Sequence, residues 1–132
     1  MNTLAALLSH VVTVLQESGY CGAVRVLETH PFSERQFALK VRAELVTGDA
    51  LQIRVYCNGD HVDYSYQLLN GGLPVQRWDN KEHFPEIASH PHHFHNSAGE
   101  VEISPLTGDP EHDLSLVMRL LFPPDSAVKP GE

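Results

Sequence analysis

Residues 77 to 96 read RWDNKEHFPEIASHPHHFHN and contain side chains that can bind metals or transfer protons near neutral pH. Five of the chain's nine histidines lie in this stretch: His83, His90, His92, His93 and His95. Pro85 and Pro91 disfavour helical angles in the residues before them, which predicts an extended loop. Alternate side chains of an extended chain point to opposite sides. We therefore expect His90 and His92 on one side of the loop, and His93 and His95 on the other.

One hypothesis for this stretch is a metal site built on His93 and His95. Zinc prefers three or four nitrogen, sulfur or oxygen ligands in near-tetrahedral geometry, and neutral imidazole is a common ligand. A third ligand would come from His83, Asp79 or Glu86. The chain has no HExxH motif and no CxxC motif, so the spacing alone does not identify a metal site.

A second hypothesis is acid–base catalysis of RNA cleavage without a metal. That reaction needs a base for the 2′-hydroxyl, an acid for the leaving oxygen and a cation for the developing negative charge. Two histidines would supply the base and the acid, and Arg77 or Lys81 would supply the cation. Trp78 or Tyr66 is then expected to stack on a nucleobase.

A third hypothesis assigns no chemistry to the stretch. The histidines then lie on a solvated polar connection, and Asp79 and Asn80 cap a turn through side-chain to backbone hydrogen bonds. In this interpretation Trp78 and Phe84 anchor the connection to the core, and Tyr66 is an ordinary strand residue.

Two helices and a run of strands must position these residues. Residues 3 to 18 carry leucine and valine at helical spacing. Asp109 followed by Pro110 predicts the start of a second helix, which Pro123 and Pro124 end. Between the helices, apolar and polar residues alternate in runs that Asn-Gly and Gly-Gly turns separate. The predicted strands are 22–31, 35–46, 50–58, 61–69 and 74–79.

These elements predict an α+β fold in which a five-stranded antiparallel meander carries the N-terminal and C-terminal helices on one face. Residues 1–122 are expected to form a single domain, and residues 123–132 a disordered tail. The other face of the sheet is expected to be exposed, or to form a groove or the contact of a homo-oligomer. It carries Arg25, Lys40, Arg42, Arg54, Tyr56, His61 and Asp63.

Charge is distributed unevenly along the chain. The formal net charge is −8, and residues 59 to 132 account for all of it. This balance disfavours broad attraction to nucleic acid, because neutralising phosphates supplies most of that affinity. A basic partner or a small local cationic site fits better. The apolar N-terminal run lacks a basic flank and a small-residue cleavage site, which predicts a cytoplasmic protein without a membrane span.

The order of the motifs resembles that of the TumE-like proteins, a family of small prokaryotic toxins of toxin–antitoxin pairs. The resemblance covers roughly residues 35 to 122 and includes a tyrosine-rich strand, an RWDN motif, a following histidine and a PHHFH motif. The matching residues are Tyr64, Tyr66, Arg77, Asp79, Asn80, His83, Pro91, His92, His93 and His95. Where family members tend to have a DNAPHH run, this chain has DNKEHF, which places Phe84 at a histidine position. The resemblance implies a toxin that acts on RNA or a nucleotide and is neutralised by an antitoxin protein.

Our leading hypothesis is a TumE-like toxin that cleaves RNA by histidine acid–base catalysis and needs no cofactor. The candidate catalytic residues are His83, His92, His93, His95, Arg77 and Asp79. The candidate substrate-binding residues are Lys81, Trp78, Tyr66 and Asn80. The alternative is a non-catalytic module that binds a basic protein or holds a divalent metal on its histidines.

Overall fold

The chain folds into one antiparallel sheet with a helix at either end of the sequence, in a computed structural model that describes residues 3–131. The helices are α1 (Leu4–Glu17) and α2 (Pro110–Leu121). The strands are β1 (Cys21–Pro31), β2 (Gln36–Leu45), β3 (Ala50–Asn58), β4 (His61–Asn70), β5 (Leu73–Asp79), β6 (His93–His95) and β7 (Val101–Ile103). Each strand pairs with the next one along the chain, so the sheet is a meander in sequence order.

The predicted α+β class, antiparallel sheet and two helices are confirmed, but the prediction of five strands is wrong because the sheet has seven. The two additional strands, β6 and β7, contain three residues each and lie where we expected a loop. Three residues are too few for a period-two pattern to be recognised in the sequence. Pairing satisfies the backbone groups of both strands: β6 pairs with β5, with Arg77 opposite His95 and Asp79 opposite His93, and β7 pairs with β6.

Both helices pack against one face of the sheet. The buried side chains of α1 are Leu7, Val11 and Leu15, and those of α2 include Leu114, Val117 and Met118. They share a core with alternate residues of the strands, which include Phe37, Leu39, Val41, Ile53, Val55, Tyr66 and Trp78. The rings of Tyr20 and Phe122 stack with their centroids 4.2 Å apart and join the ends of the two helices. Burial of these apolar side chains is the main force that holds the helices to the sheet.

The other face of the sheet carries the intervening polar residues, and the strand register places them in rows. One row runs across the sheet through Lys40, Arg54, Ser65, Asp79 and His93, each opposite the next. The neighbouring row runs through Arg42, Gln52, Gln67, Arg77 and His95. Residues that are distant in the sequence therefore meet on this face, because antiparallel pairing brings opposite side chains close together.

Residues 81–92 connect β5 to β6 through consecutive turns, so the expectation of an extended loop is wrong there. Backbone N–H groups of Ile87, His90 and His92 each donate to the carbonyl three residues earlier. Ser89 fixes the end of this segment, since its hydroxyl accepts a hydrogen bond from the Ser104 N–H at 3.0 Å. The turns let the chain fold back over the polar face of the sheet.

The ends of the chain add little to that face. Residues 123–131 contain no helix or strand, and the N–H of Gly131 donates to the Gly19 carbonyl at 2.6 Å. Met1 and Asn2 of the predicted domain, and Glu132 of the predicted tail, lie outside the described residues. Neither α1 nor α2 is long and apolar enough to cross a membrane.

Candidate functional site

The polar face of the sheet forms a groove of about 710 Å³, which we call the sheet-face groove. Its walls come from the six strands β1 to β6 and from the turn segment that follows β5. The lining residues include Lys40, Arg54, Arg77, Asp79, Lys81, His83, Phe84, His93 and His95. A second cavity, of about 380 Å³, lies near the start of α2 and contains none of the predicted site residues.

Asp79 is the buried centre of the sheet-face groove, with only 2% of its surface exposed. Its Oδ2 accepts a hydrogen bond from Arg77 Nε at 2.6 Å, and its Oδ1 accepts one from the backbone N–H of Lys81 at 3.0 Å. His93 Nε2 lies 2.9 Å from Oδ1. A carboxylate removed from water needs such partners, because an unpaired buried charge is strongly destabilising.

His95 adopts its neutral form in this arrangement. An N–H of the Arg77 guanidinium donates to His95 Nε2 at 3.0 Å. Since arginine only donates, this nitrogen must carry the lone pair, and the ring proton lies on the other nitrogen. Burial and then the positive charge of Arg77 lower the pKa of His95. The result is a neutral imidazole beside a cation, which is the combination that a general base next to a phosphate requires.

His93 is almost completely buried, at 1% exposed, and its two ring nitrogens have different environments. Nδ1 lies 3.1 Å from the carbonyl oxygen of Pro91. A carbonyl only accepts, so Nδ1 carries a proton and donates. Nε2 is close to Asp79, but the direction of approach does not meet hydrogen-bond geometry. Within residues 3–131, this nitrogen is therefore buried without a hydrogen-bond partner.

Phe84 lies over the two histidines of β6. Its ring centroid is 4.7 Å from that of His93 and 5.8 Å from that of His95, in edge-on contacts. The His93 and His95 rings contact each other with centroids 4.8 Å apart. Phe84 therefore covers part of both rings, and it lies at the position where the resemblance in the sequence led us to expect a histidine.

The groove is locally cationic although the whole chain is acidic. Among the lining side chains, Lys40, Arg54, Arg77 and Lys81 are cationic, whereas Glu28, Asp63 and Asp79 are acidic. Lys40 is paired with Glu28 at 2.8 Å, and a hydrogen bond from Lys40 lowers the pKa of Glu28 to about 2. The side chains of Arg54 and Lys81 have no ion-pair partner among residues 3–131 and can contact a bound phosphate.

From the sequence we expected Lys40 and Arg54 on the polar face of the sheet, but we did not assign them to the site. The sequence does contain a pattern that places both residues on this face, since each alternates with buried residues of its strand. Their proximity to the histidines depends on the register of β3, β4, β5 and β6, which the sequence does not specify beforehand. Of the residues that we did predict, Lys81 and His83 lie exposed along the same groove.

Several predicted site residues lie away from the sheet-face groove. His92 points to the helix side of the sheet, where its Nδ1 is hydrogen-bonded to the Tyr64 hydroxyl at 2.7 Å. Burial lowers the pKa of His92. The predicted division between His92 on one side and the pair His93 and His95 on the other agrees with this geometry. Our assignment of His92 to the same catalytic site as His93 and His95 is wrong, because the sheet separates His92 from them.

Trp78 and Tyr66 lie in the core, at 3% and 1% exposed, and Trp78 stacks on Phe94 with centroids 4.6 Å apart. Our hypothesis that they stack on a nucleobase is corrected, because neither ring has a surface open to a ligand. Asn80 is occupied by the backbone of β4. Its side chain accepts from the Tyr64 N–H at 3.1 Å and donates to the Val62 carbonyl at 2.7 Å, so it extends the sheet.

Among residues 3–131, one group of side chains can hold a metal ion. Ligand atoms of Asp79, His93 and His95 all lie within 4.8 Å of one another. Two imidazoles and a carboxylate are a common donor set for divalent transition metals. His83 and Glu86, the other predicted third ligands, do not belong to this group.

A family model described as Toxin TumE matches residues 13–121, which is most of the chain. The match includes every residue of the sheet-face groove and confirms the resemblance that the motifs indicated. No curated protein and no solved structure matches the chain.

The contact between Arg77 and His95 predicts that the pKa of His95 depends on the charge of Arg77. The substitution Arg77→Met should raise the pKa of His95 towards the ordinary histidine value of about 6.5, because it removes a charge that opposes protonation. NMR signals of the imidazole rings, followed as a function of pH, measure this shift. His92 is the internal control, since Arg77 does not contribute to its lowered pKa. A His95 pKa that does not move, or a shift of equal size at His92, would contradict the assignment.

Proposed function

The chain belongs to the TumE toxin family, and from this premise we propose that it is a toxin that cleaves RNA in the sheet-face groove without a metal. The observation that carries the proposal is the neutral His95 imidazole held against Arg77 at 3.0 Å. Neutral imidazole is the form that accepts a proton, and guanidinium binds phosphate oxygens through several N–H groups.

The proposed reaction begins when a phosphate oxygen of RNA takes over the Arg77 N–H that His95 accepts. His95 Nε2 is then free to remove the proton of the 2′-hydroxyl, and the 2′-oxygen attacks phosphorus. The bond from phosphorus to the 5′-oxygen breaks, and the leaving oxygen takes a proton from an acid. The products are a 2′,3′-cyclic phosphate and a 5′-hydroxyl, and the histidines exchange protons with water to reset.

His83 is the residue that we assign as the acid, since it lies exposed along the same groove and can exchange protons with solvent. Arg77 and Lys81 oppose the charge that develops on the phosphorane, and Arg54 binds a neighbouring phosphate. Asp79 and His93 are too deeply buried to touch RNA. They are positioning residues, since Asp79 accepts a hydrogen bond from Arg77 and the His93 ring packs against the His95 ring.

The cationic groove allows RNA to bind although the protein as a whole is acidic. Non-specific affinity for nucleic acid depends on the number of phosphates that lysine and arginine neutralise. Few such contacts are available here, so the proposal implies binding of a short single-stranded segment. Most of the surface would repel RNA, and only the groove would accept it.

The proposal predicts that His95→Gln reduces RNA cleavage by about 100-fold or more, since acid–base groups contribute about 10²–10⁴ to such rates. The rate should be measured on single-stranded RNA in the presence of a chelator, together with inhibition of growth on expression. His90→Ala is the matched control, because His90 is exposed and does not line the groove. Full cleavage by the His95→Gln protein, or no cleavage by the parent protein under any condition, would refute the proposed chemistry.

Membership of the TumE family also suggests an antitoxin partner, and we propose that a small protein encoded beside this chain neutralises it. Co-expression of the neighbouring gene should restore growth, and the two proteins should co-purify. If expression of the chain inhibits growth and no neighbouring gene product relieves the inhibition, the proposed pairing is wrong.

A further inference from the structure

His93 Nε2 has no role in the proposed reaction, and its surroundings need an explanation. It is buried, it has no hydrogen-bond partner among residues 3–131, and it lies 2.9 Å from a carboxylate oxygen. Neutral His93 would set a lone pair against the lone pairs of Asp79, which is unfavourable in a site that excludes water. Something positive between the two atoms removes this conflict, and the choices are a proton and a metal ion.

The surroundings of His93 are those of a metal ligand. Histidine ligands usually donate their second ring N–H to a carbonyl or carboxylate, which fixes the ring and leaves the other nitrogen to bind the metal. Here Nδ1 donates to the Pro91 carbonyl at 3.1 Å, so Nε2 is the nitrogen left available.

The other two ligands are close to the required distances. His95 Nε2 lies 3.6 Å from Asp79 Oδ2. In a tetrahedral zinc site, neighbouring ligand atoms are roughly 3.3 Å apart, given bond lengths near 2.0 Å. The separations of up to 4.8 Å among the three side chains therefore need only small rotations to close around an ion.

Arg77 occupies the place that this ion would take. Its guanidinium contacts both Asp79 Oδ2, at 2.6 Å, and His95 Nε2, at 3.0 Å. Two cations cannot share these atoms, but the Arg77 side chain is 41% exposed and can turn outwards into the groove. We propose that Asp79, His93 and His95 bind a divalent transition metal ion such as zinc, in competition with the guanidinium of Arg77.

Metal binding at this site also affects the proposed reaction, and this effect rests on the proposed function. A metal ion at this site takes the lone pair of His95 Nε2, the proposed general base. It also displaces the guanidinium of Arg77, which binds phosphate in the proposed reaction. The metal-bound protein is therefore an inactive form, and removal of the metal restores activity.

Metal binding is tested on untagged full-length protein by titration with Co²⁺, whose visible absorption reports its coordination geometry, and with Zn²⁺ by calorimetry. The parent protein should bind one equivalent, and His95→Gln should weaken binding at least about tenfold, since even outer-shell changes cost about 10–100-fold. His95 is partly exposed, so this variant is expected to fold; circular dichroism checks this. His90→Ala should bind like the parent.

Arg77→Met is the decisive variant, because it removes the competitor and keeps all three ligands. It should bind metal more tightly than the parent by about tenfold or more, a difference of about 1.4 kcal/mol in binding free energy. Equal or weaker affinity of Arg77→Met would overturn the competition. Unchanged affinity in His95→Gln, or no stoichiometric binding by either the parent or Arg77→Met, would overturn the site.

The catalytic consequence is tested separately, by measuring RNA cleavage with and without a saturating concentration of Zn²⁺. Loss of cleavage that a chelator reverses supports the inactive metal-bound form, and cleavage that persists on the metal-saturated protein overturns it. If the protein binds metal through the three ligands but never cleaves RNA, the proposed function fails and the metal site stands.

Discussion

A buried carboxylate that must be paired determines the local structure around the groove. Breaking a buried ion pair typically costs about 3–5 kcal/mol, so the fold has to bring donors to Asp79. They come from Arg77 within β5 and from the backbone of Lys81 at the start of the turns. A three-residue strand such as β6 has little stability of its own, and pairing with β5 and β7 fixes it in the sheet, where it places His93 Nε2 2.9 Å from the carboxylate.

The same pairing explains how a cation and a neutral imidazole come together in an acidic protein. Both helices cover one face of the sheet and leave the other free for polar residues. On that free face, Asp79 holds the Arg77 guanidinium, which also contacts His95 and is 41% exposed. The Phe84 ring covers part of both imidazoles. One buried acid thus orients a cation and a neutral base, and the fold needs no large basic surface.

The sequence predicted the elements that have long patterns and missed those that do not. Strands β2 and β3 alternate apolar and polar residues over nine or ten positions, so their existence and orientation were clear. Alternation also separated His92 from His93 and His95. The same rule places Trp78 on the opposite face from Arg77 and Asp79, and we did not apply it when we expected Trp78 to contact a base. No local pattern reveals that Arg54 lies in the same row as Asp79, because this depends on the register of strands that are distant in the sequence.

We propose that RNA binds on the polar face of the sheet, against Arg77 and His95. NMR titration of the protein with a 2′-O-methyl RNA oligonucleotide tests it most directly, because this ligand lacks the attacking hydroxyl and is not cleaved. We predict that side-chain signals of His95, Arg77 and Arg54 shift, and that the ring signals of His92 on the helix side do not. Shifts confined to His92 and the helices, or no shift at Arg77 and His95 at saturating RNA, would contradict the account.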